Sequence, residues 1–307
     1  METSTRATPV EQLREQAKRL EAALSVGLAN PTTKAVHELR SSTRRVEAQL
    51  NLLAMVTGLP AHKAAADKVQ RRLNKLRRVA GDVRDCDVQE KLLNDQHFQV
   101  SSAVEAPPDL DKAQARLRKK IDKARQRGQK KLLSAIERQL PKLTRDTEDL
   151  LKCLKPAADY QVPVGDLLLA IERRIDRLLR SRERGEDHLH EIRKAAKRAR
   201  YQCESMPGPQ AAAMAKRLEE LQDAGGAWHD LLDLATVCHE HFGPEHPLSR
   251  VLEHLRDEHL DTYLANLEDF RKSIARRQAA AAKRKPPQRA TTSRVAPVQR
   301  GRSARAK

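Results

Sequence analysis

Residues 36–45 read VHELRSSTRR, and residues 189–198 read LHEIRKAAKR. Each stretch sets down His, Glu, an apolar residue and Arg, then a pair of cations beginning four places after the Arg. The two copies lie 153 positions apart. A duplicated core explains repeated apolar residues, but not a repeated His, Arg and cation pair. On an α-helix each residue turns about 100°, so His190, Arg193, Lys194, Lys197 and Arg198 fall within an arc of about 140°. His37, Arg40, Arg44 and Arg45 repeat the arrangement, with Ser41 where the second copy has Lys194. Like charges four apart on an exposed helix cost a few tenths of a kcal/mol. Stability alone does not gather them on one face, whereas a shared anion does.

Outward from these two stretches the periodicity is helical throughout, and no run of strand alternation interrupts it. Helices are predicted over about 9–26, 33–57, 61–80, 84–97, 110–139 and 141–155. A central linker near 156–165 follows, then helices over about 165–184, 186–205, 209–224, 228–242 and 246–282. The expected breaks are Gly58-Leu59-Pro60, Gly81, Pro107-Pro108, Pro141, Gly185, Pro207-Gly208-Pro209, Gly225-Gly226 and Gly243-Pro244. A second internal match supports duplication. Leu73 and Leu76 lead through Gly81 to Arg84-Asp85, and Leu218 and Leu221 lead through Gly225-Gly226 to His229-Asp230. Asp85 and Asp230 are expected in the opening turn of the next helix, where a carboxylate suits the dipole.

Three further helices carry rows of one sign. Arg173, Arg177, Arg180 and Arg184 fall within about 60° of one another. Arg116, Lys120, Lys123 and Arg127 form a second row, and Lys68, Arg71, Arg72 and Lys75 a third. Between residues 112 and 131 there are ten cations and one acid, Asp122. A solvated face normally mixes signs for pairing, as the segments 9–26 and 246–272 do. The single-sign rows are therefore read as parts of a shared anion site.

Composition narrows the choice. Hydrophobic residues make up 39% of the 307, enough for a core, and aromatics only 2%, so that core is aliphatic. Of the net charge of +18, 13 come from Arg271 onward, where there is no acid, leaving +5 for residues 1–270. Any anion site in the folded part must then arise from local clustering. The Pro- and Arg-rich end lacks apolar periodicity and is expected to be disordered. Four cysteines without Cys-x-x-Cys spacing, and no apolar leader or membrane-length run, lead us to expect a cytosolic protein with structural thiols.

Several chemistries are set aside. His-Glu-x-x-His zinc chemistry needs a second His where Ser41 and Lys194 stand. There is no Gly-x-x-x-x-Gly-Lys phosphate loop. The histidines at 239, 241, 246, 254 and 259 read as scattered surface residues. Asp82, Asp85 and Asp87 are the one tempting carboxylate set for metal-dependent turnover, but the helix-start reading is simpler. No catalytic residue, metal or cofactor is assigned.

The doubled His-x-apolar-Arg with its cation pair resembles the CHAD family, the conserved-histidine α-helical domain. LHEIRKAAKRARYQCE, LRRVAGDVRDCDVQEKLL and LEELQDAGGAWHDLLDLATV match its segments in order, over about residues 8–280. The resemblance implies an all-α fold of two pseudo-symmetric helical bundles, about 8–156 and 163–282, around a basic central cavity. A disordered tail over 283–307 completes the expected organisation. The resemblance also implies binding of inorganic polyphosphate and attachment to polyphosphate granules. By position, His37, Arg40, Arg44 and Arg45 line one half of that site, and His190, Arg193, Lys194, Lys197 and Arg198 the other. Arg72, Lys75, Arg116, Lys120, Lys123, Arg127, Arg173, Arg177 and Arg180 join them from the charged rows. No Glu-x-Glu-x-Lys strand of a tunnel triphosphatase is present, so no catalysis is carried over.

Polyphosphate suits this composition because it needs cations and no stacking platform. Arg clamps phosphate oxygens with paired N–H bonds, and Lys acts as a mobile point charge. Histidine protonation near an ordinary pKa of about 6.5 predicts tighter binding as pH falls from about 8 to 6. The competing expectation is non-specific nucleic-acid binding through the basic tail, against which stands the scarcity of aromatics for stacking.

Overall fold

Proline and threonine set several helix starts. The Thr32 hydroxyl accepts a hydrogen bond from the Ala35 amide at 3.2 Å, and proline opens the first, seventh and eighth helices, where its missing N–H costs nothing. The computed structural model describes residues 5–95, 110–181 and 185–283, with side chains to residue 278. Its helices are α1 (Pro9–Ala29), α2 (Thr33–Leu53), α3 (Lys63–Asn94), α4 (Leu110–Leu154), α5 (Val164–Leu179), α6 (Glu186–Glu204), α7 (Pro209–Phe242) and α8 (Pro247–Lys283). The protein is all-α, as expected. One departure is a two-residue antiparallel pairing of β1 (Arg6–Ala7) with β2 (Val162–Pro163), which ties the N-terminal segment to the linker. The loop around Pro107-Pro108, Arg184 and the basic tail lie outside the described residues.

Three expected breaks are absent. The segments 61–80 and 84–97 are one helix, α3, through Gly81; 209–224 and 228–242 are one helix, α7, through Gly225-Gly226; 110–139 and 141–155 are one helix, α4, through Pro141. Glycine inside a helix costs about 1 kcal/mol, so each needs a reason. At Gly81 a Cβ would stand 2.5 Å from an Arg40 guanidinium nitrogen, and at Gly225 it would stand 2.7 Å from the Tyr263 ring. These glycines permit close approach and do not end a helix. Across Pro141 the helix is held on both sides, because Leu132 and Ile136 before it and Leu143, Leu150 and Leu154 after it are buried in one core.

That core joins α1 to α4. A second joins α5 to α8, with Trp228 and Tyr263 wholly buried and stacked at 5.7 Å between ring centroids. A third packs the C-terminal part of α3 and the start of α4 against α7 and α8 through Leu117, Ile121, Leu234 and Leu252. The two halves also meet through the motif helices themselves. Gln49 on α2 donates to the Ser205 hydroxyl just past α6, and Gln202 on α6 donates to the Ala48 carbonyl at 3.3 Å. Arg45 lies over the Tyr201 ring at 5.4 Å. The two copies of the repeated motif are thus brought together by direct packing of α2 on α6.

Candidate functional site

Where α2 and α6 pack, α3 and α7 close the sides of a recess of about 230 Å³. From α2 come Arg40 and Arg44, and from α6 come His190, Arg193, Lys194 and Lys197. The other walls supply acids and an imidazole: Asp85 on α3, with His229, Asp230 and Asp233 on α7. Six of the eighteen residues picked from sequence therefore line one recess, and they come from both motif copies.

Crowding and burial weaken the cations as proton holders. Burial first, then Arg44, Arg40 and Arg193, pulls the Lys197 ammonium down to about 7. Burial, Arg40 and Arg77 pull the Arg44 guanidinium down to about 10. Arg193 is lowered too, burial outweighing the help of Asp230 and Asp233. Removing a charge from water disfavours the charged form, and a like neighbour adds to the effect. Direct pairs between the recess cations and carboxylates are few among the described residues: Arg40 reaches Asp85 at 3.8 Å, and Lys194 pairs with Glu191 on its own helix. The Nε atoms of Arg44 and Arg193 are buried without a hydrogen-bond partner. Buried polar groups are normally satisfied, and these two are exceptions. The recess in its free state carries more positive charge than its own carboxylates answer.

The histidines behave differently from the sequence expectation. Burial, Arg193 and His229 push His190 down to about 4. His37 is lowered by burial and then by Arg84 and Lys197. Both are neutral imidazoles near pH 7 in the free protein, and the group that titrates there is Lys197.

The remaining sequence candidates lie outside the recess, each for a visible reason. Arg45 is drawn to Tyr201 and to Glu38 at 3.5 Å. Arg72 holds the buried Asp146 at 3.0 Å, an ion pair inside the α3–α4 contact. Arg180 pairs with Asp176 one turn back, and Arg116 sits over the Phe242 ring at 5.4 Å. Lys75, Lys123, Arg127, Arg173 and Arg177 are exposed, and Lys120 is half-buried near His241. Arg198 and Arg177 both act on Arg174, whose own basicity is lowered by burial and by that pair. A second basic group thus forms between α5 and α6, and Arg174 is the member sequence reasoning missed.

Two further corrections concern acids. Asp85 and Asp230 do not open helices; they sit in mid-helix and face the cations across the recess. Asp87 is buried with Arg125 and Thr33, and Asp82 is exposed, so the Asp82, Asp85, Asp87 set that the sequence reading set aside is scattered. His229 and Asp233 are absent from the sequence candidates. Their signal is the i, i+4 spacing in HDLLD, which places both on one face of a helix.

Among the described residues, eight helices set two copies of one His-Arg-cation motif against each other across a cation-rich recess, an all-helical architecture. The CHAD domain model matches residues 11–239, and the chain belongs to the CHAD domain family. Two solved structures share the fold. The CHAD domain from the plant Ricinus communis is 18% identical, with a TM-score of 0.58 over 87% of this chain and 94% of that one. PptA from Streptomyces chartreusis is 17% identical, with a TM-score of 0.59 over 88% of this chain and 98% of that one. No curated protein matches the chain. Among the described residues no helix is long and apolar enough to cross a membrane.

Proposed function

We propose that this protein binds inorganic polyphosphate, with the chain of phosphates entering the recess between α2 and α6. The observation that carries the reading is the convergence of Arg40, Arg44, Arg193 and Lys197 from two sequence copies, held so closely that their own basicity falls. An anion that meets all four relieves the repulsion among them through charge-assisted hydrogen bonds. Binding, not turnover, is the role assigned to these residues. Attachment to polyphosphate granules in the cytoplasm is the cellular consequence. The exposed cations of α3, α4 and α5, with Arg174 and Arg198, then steer a long polyanion towards the recess and add little affinity of their own at physiological salt.

Single-stranded nucleic acid is typically held by aromatic faces on which its bases stack. Here Trp228 and Tyr263 are locked in the core and Tyr201 lies between Arg45 and Arg200. Competition tests the choice. At equal phosphate concentration, polyphosphate of defined length displaces a fluorescent polyphosphate probe from the full chain far better than duplex DNA does. Equal displacement by the two polymers marks a general polyanion binder and removes the proposal.

Gly81 gives a second, finer test. Alanine there improves the helix by about 0.5–1 kcal/mol. Its Cβ also claims the space of the Arg40 guanidinium, 2.5 Å away. The expected result of Gly81→Ala is an unchanged or slightly higher thermal midpoint with polyphosphate affinity about tenfold weaker, the loss of roughly one charged hydrogen bond. Unchanged affinity removes Arg40 from the contact.

A further inference from the structure

The acids in the recess pose a question that polyphosphate binding leaves open, since carboxylates facing a polyanion oppose it. His229, Asp230 and Asp233 each offer one ligand atom, and these atoms lie within 4.8 Å of one another. His229 Nδ1 is 3.1 Å from an Asp233 carboxylate oxygen. Residues i, i+1 and i+4 of one helix span about 100° of its circumference, so all three face the same way. The His190 ring stands 4.6 Å from that of His229, tilted by 31°. Asp85 approaches from α3 on the opposite wall of the recess. Asp230 lines the recess with no hydrogen-bond or ion-pair partner among the described residues.

We propose that His229, Asp230 and Asp233 form a divalent-cation site, and that the ion held there bridges to phosphate oxygens of the polymer lying on Arg40, Arg44, Arg193 and Lys197. The second clause rests on the proposed polyphosphate function; the first does not. One imidazole nitrogen and two carboxylate oxygens are a mixed donor set that suits Mn²⁺ or Zn²⁺ better than Mg²⁺ or Ca²⁺, which prefer oxygen alone. Three ligands on one side leave the other positions of the ion open towards the cations, where phosphate oxygens complete the shell. The arrangement also answers the mixed signs of the recess. The acids hold the metal, the metal cancels their two negative charges, and its open positions then offer the polymer a Lewis acid where bare carboxylates would repel it.

The test separates a metal site from simple counter-charge. Chelator-stripped full-length protein is titrated by calorimetry with MnCl₂ and with ZnCl₂ in the absence of polyphosphate. One ion per chain is expected for at least one of the two metals. The Asp230→Asn/Asp233→Asn pair, nearly isosteric, should weaken this at least about tenfold, and His229→Gln should do the same. Circular dichroism confirms that each variant is folded. Polyphosphate is then titrated with chelator and with metal. If the acids are metal ligands, the Asn pair binds polyphosphate tighter than wild type in chelator and loses the gain that metal gives wild type. No binding of either ion by wild type, or unchanged stoichiometry and affinity in all variants, overturns the site. Because the first titration contains no polymer, a metal bound with no polyphosphate affinity would leave the site standing and remove the proposed function instead.

Discussion

Replacing Arg40 and Arg193 together by glutamate lowers polyphosphate affinity by at least about 100-fold at physiological salt. The figure follows from the two guanidinium–phosphate pairings that disappear: a hydrogen bond to a charged group contributes about 1.5–3 kcal/mol, and two of them exceed two decades in affinity. Reversal then adds repulsion against each phosphate that stays nearby. The two residues are chosen because they come from different motif copies, Arg40 from α2 and Arg193 from α6, yet each acts electrostatically within one recess, Arg40 being among the charges that depress Arg193. The control carries the same change in net charge. Lys75→Glu/Lys123→Glu reverses two exposed cations, and screening over about 8 Å at 0.15 M salt limits its effect to a few-fold. Arg40→Gln/Arg193→Gln, which removes the positive charges without reversing them, should fall between the two. Calorimetry with polyphosphate of defined length reads all three. Similar losses in the recess and control pairs would mean that overall charge, and not convergence, holds the polymer, and the functional reading would fail.

That experiment turns on a distinction the sequence only half contains. The repeated motif was legible because a single face of one helix carried too many like charges to be there for stability, and the same periodicity established the all-helical class. Which cations point inward was not legible. Arg72 and Arg40 look alike in a row of four, but the carboxylate that claims Arg72 is Asp146, 74 positions away on another helix. Arg180 was claimed by Asp176 one turn before it, a pairing that was visible and was outweighed by the row of arginines. The glycines misled for a related reason. Gly81 and Gly225 look like breaks because glycine is a poor helix former, whereas each makes room for a partner from a different helix, Arg40 or Tyr263. Reading the breaks as helix starts then misplaced Asp85 and Asp230, which is why the acidic wall of the recess went unseen. Tertiary partners decided these cases, Arg180 with its neighbour one turn back excepted.

Binding and stability of this protein should move in opposite directions as pH rises above about 7, and Lys197 is the reason. Its ammonium, ordinarily near 10.5, falls to about 7 through burial first and then Arg44, Arg40 and Arg193, with Asp230 on α7 opposing them. In the unfolded chain the proton stays on to about 10.5. Between these values the unfolded state binds the extra proton, so this group's contribution to stability increases with pH across the window and is smallest below 7. Phosphate beside the ammonium raises its affinity for the proton again, so above pH 7 polyphosphate binding takes up a proton. Affinity then falls by up to about tenfold per pH unit and levels off below 7. His37 and His190, both lowered, are neutral in the free protein across this window, and the Lys197 variant separates any uptake at these imidazoles from uptake at Lys197. Calorimetry at pH values of about 6.5, 7.5 and 8.5, in chelator and in two buffers of different ionisation enthalpy, should show proton uptake rising from near zero towards about one. In Lys197→Met the affinity at low pH drops, the slope above 7 disappears, and the thermal midpoint at pH 7 rises because a crowded cation has gone. An unchanged slope in that variant would assign the proton to another group, and a lower midpoint would show that the recess is not strained by its own charge.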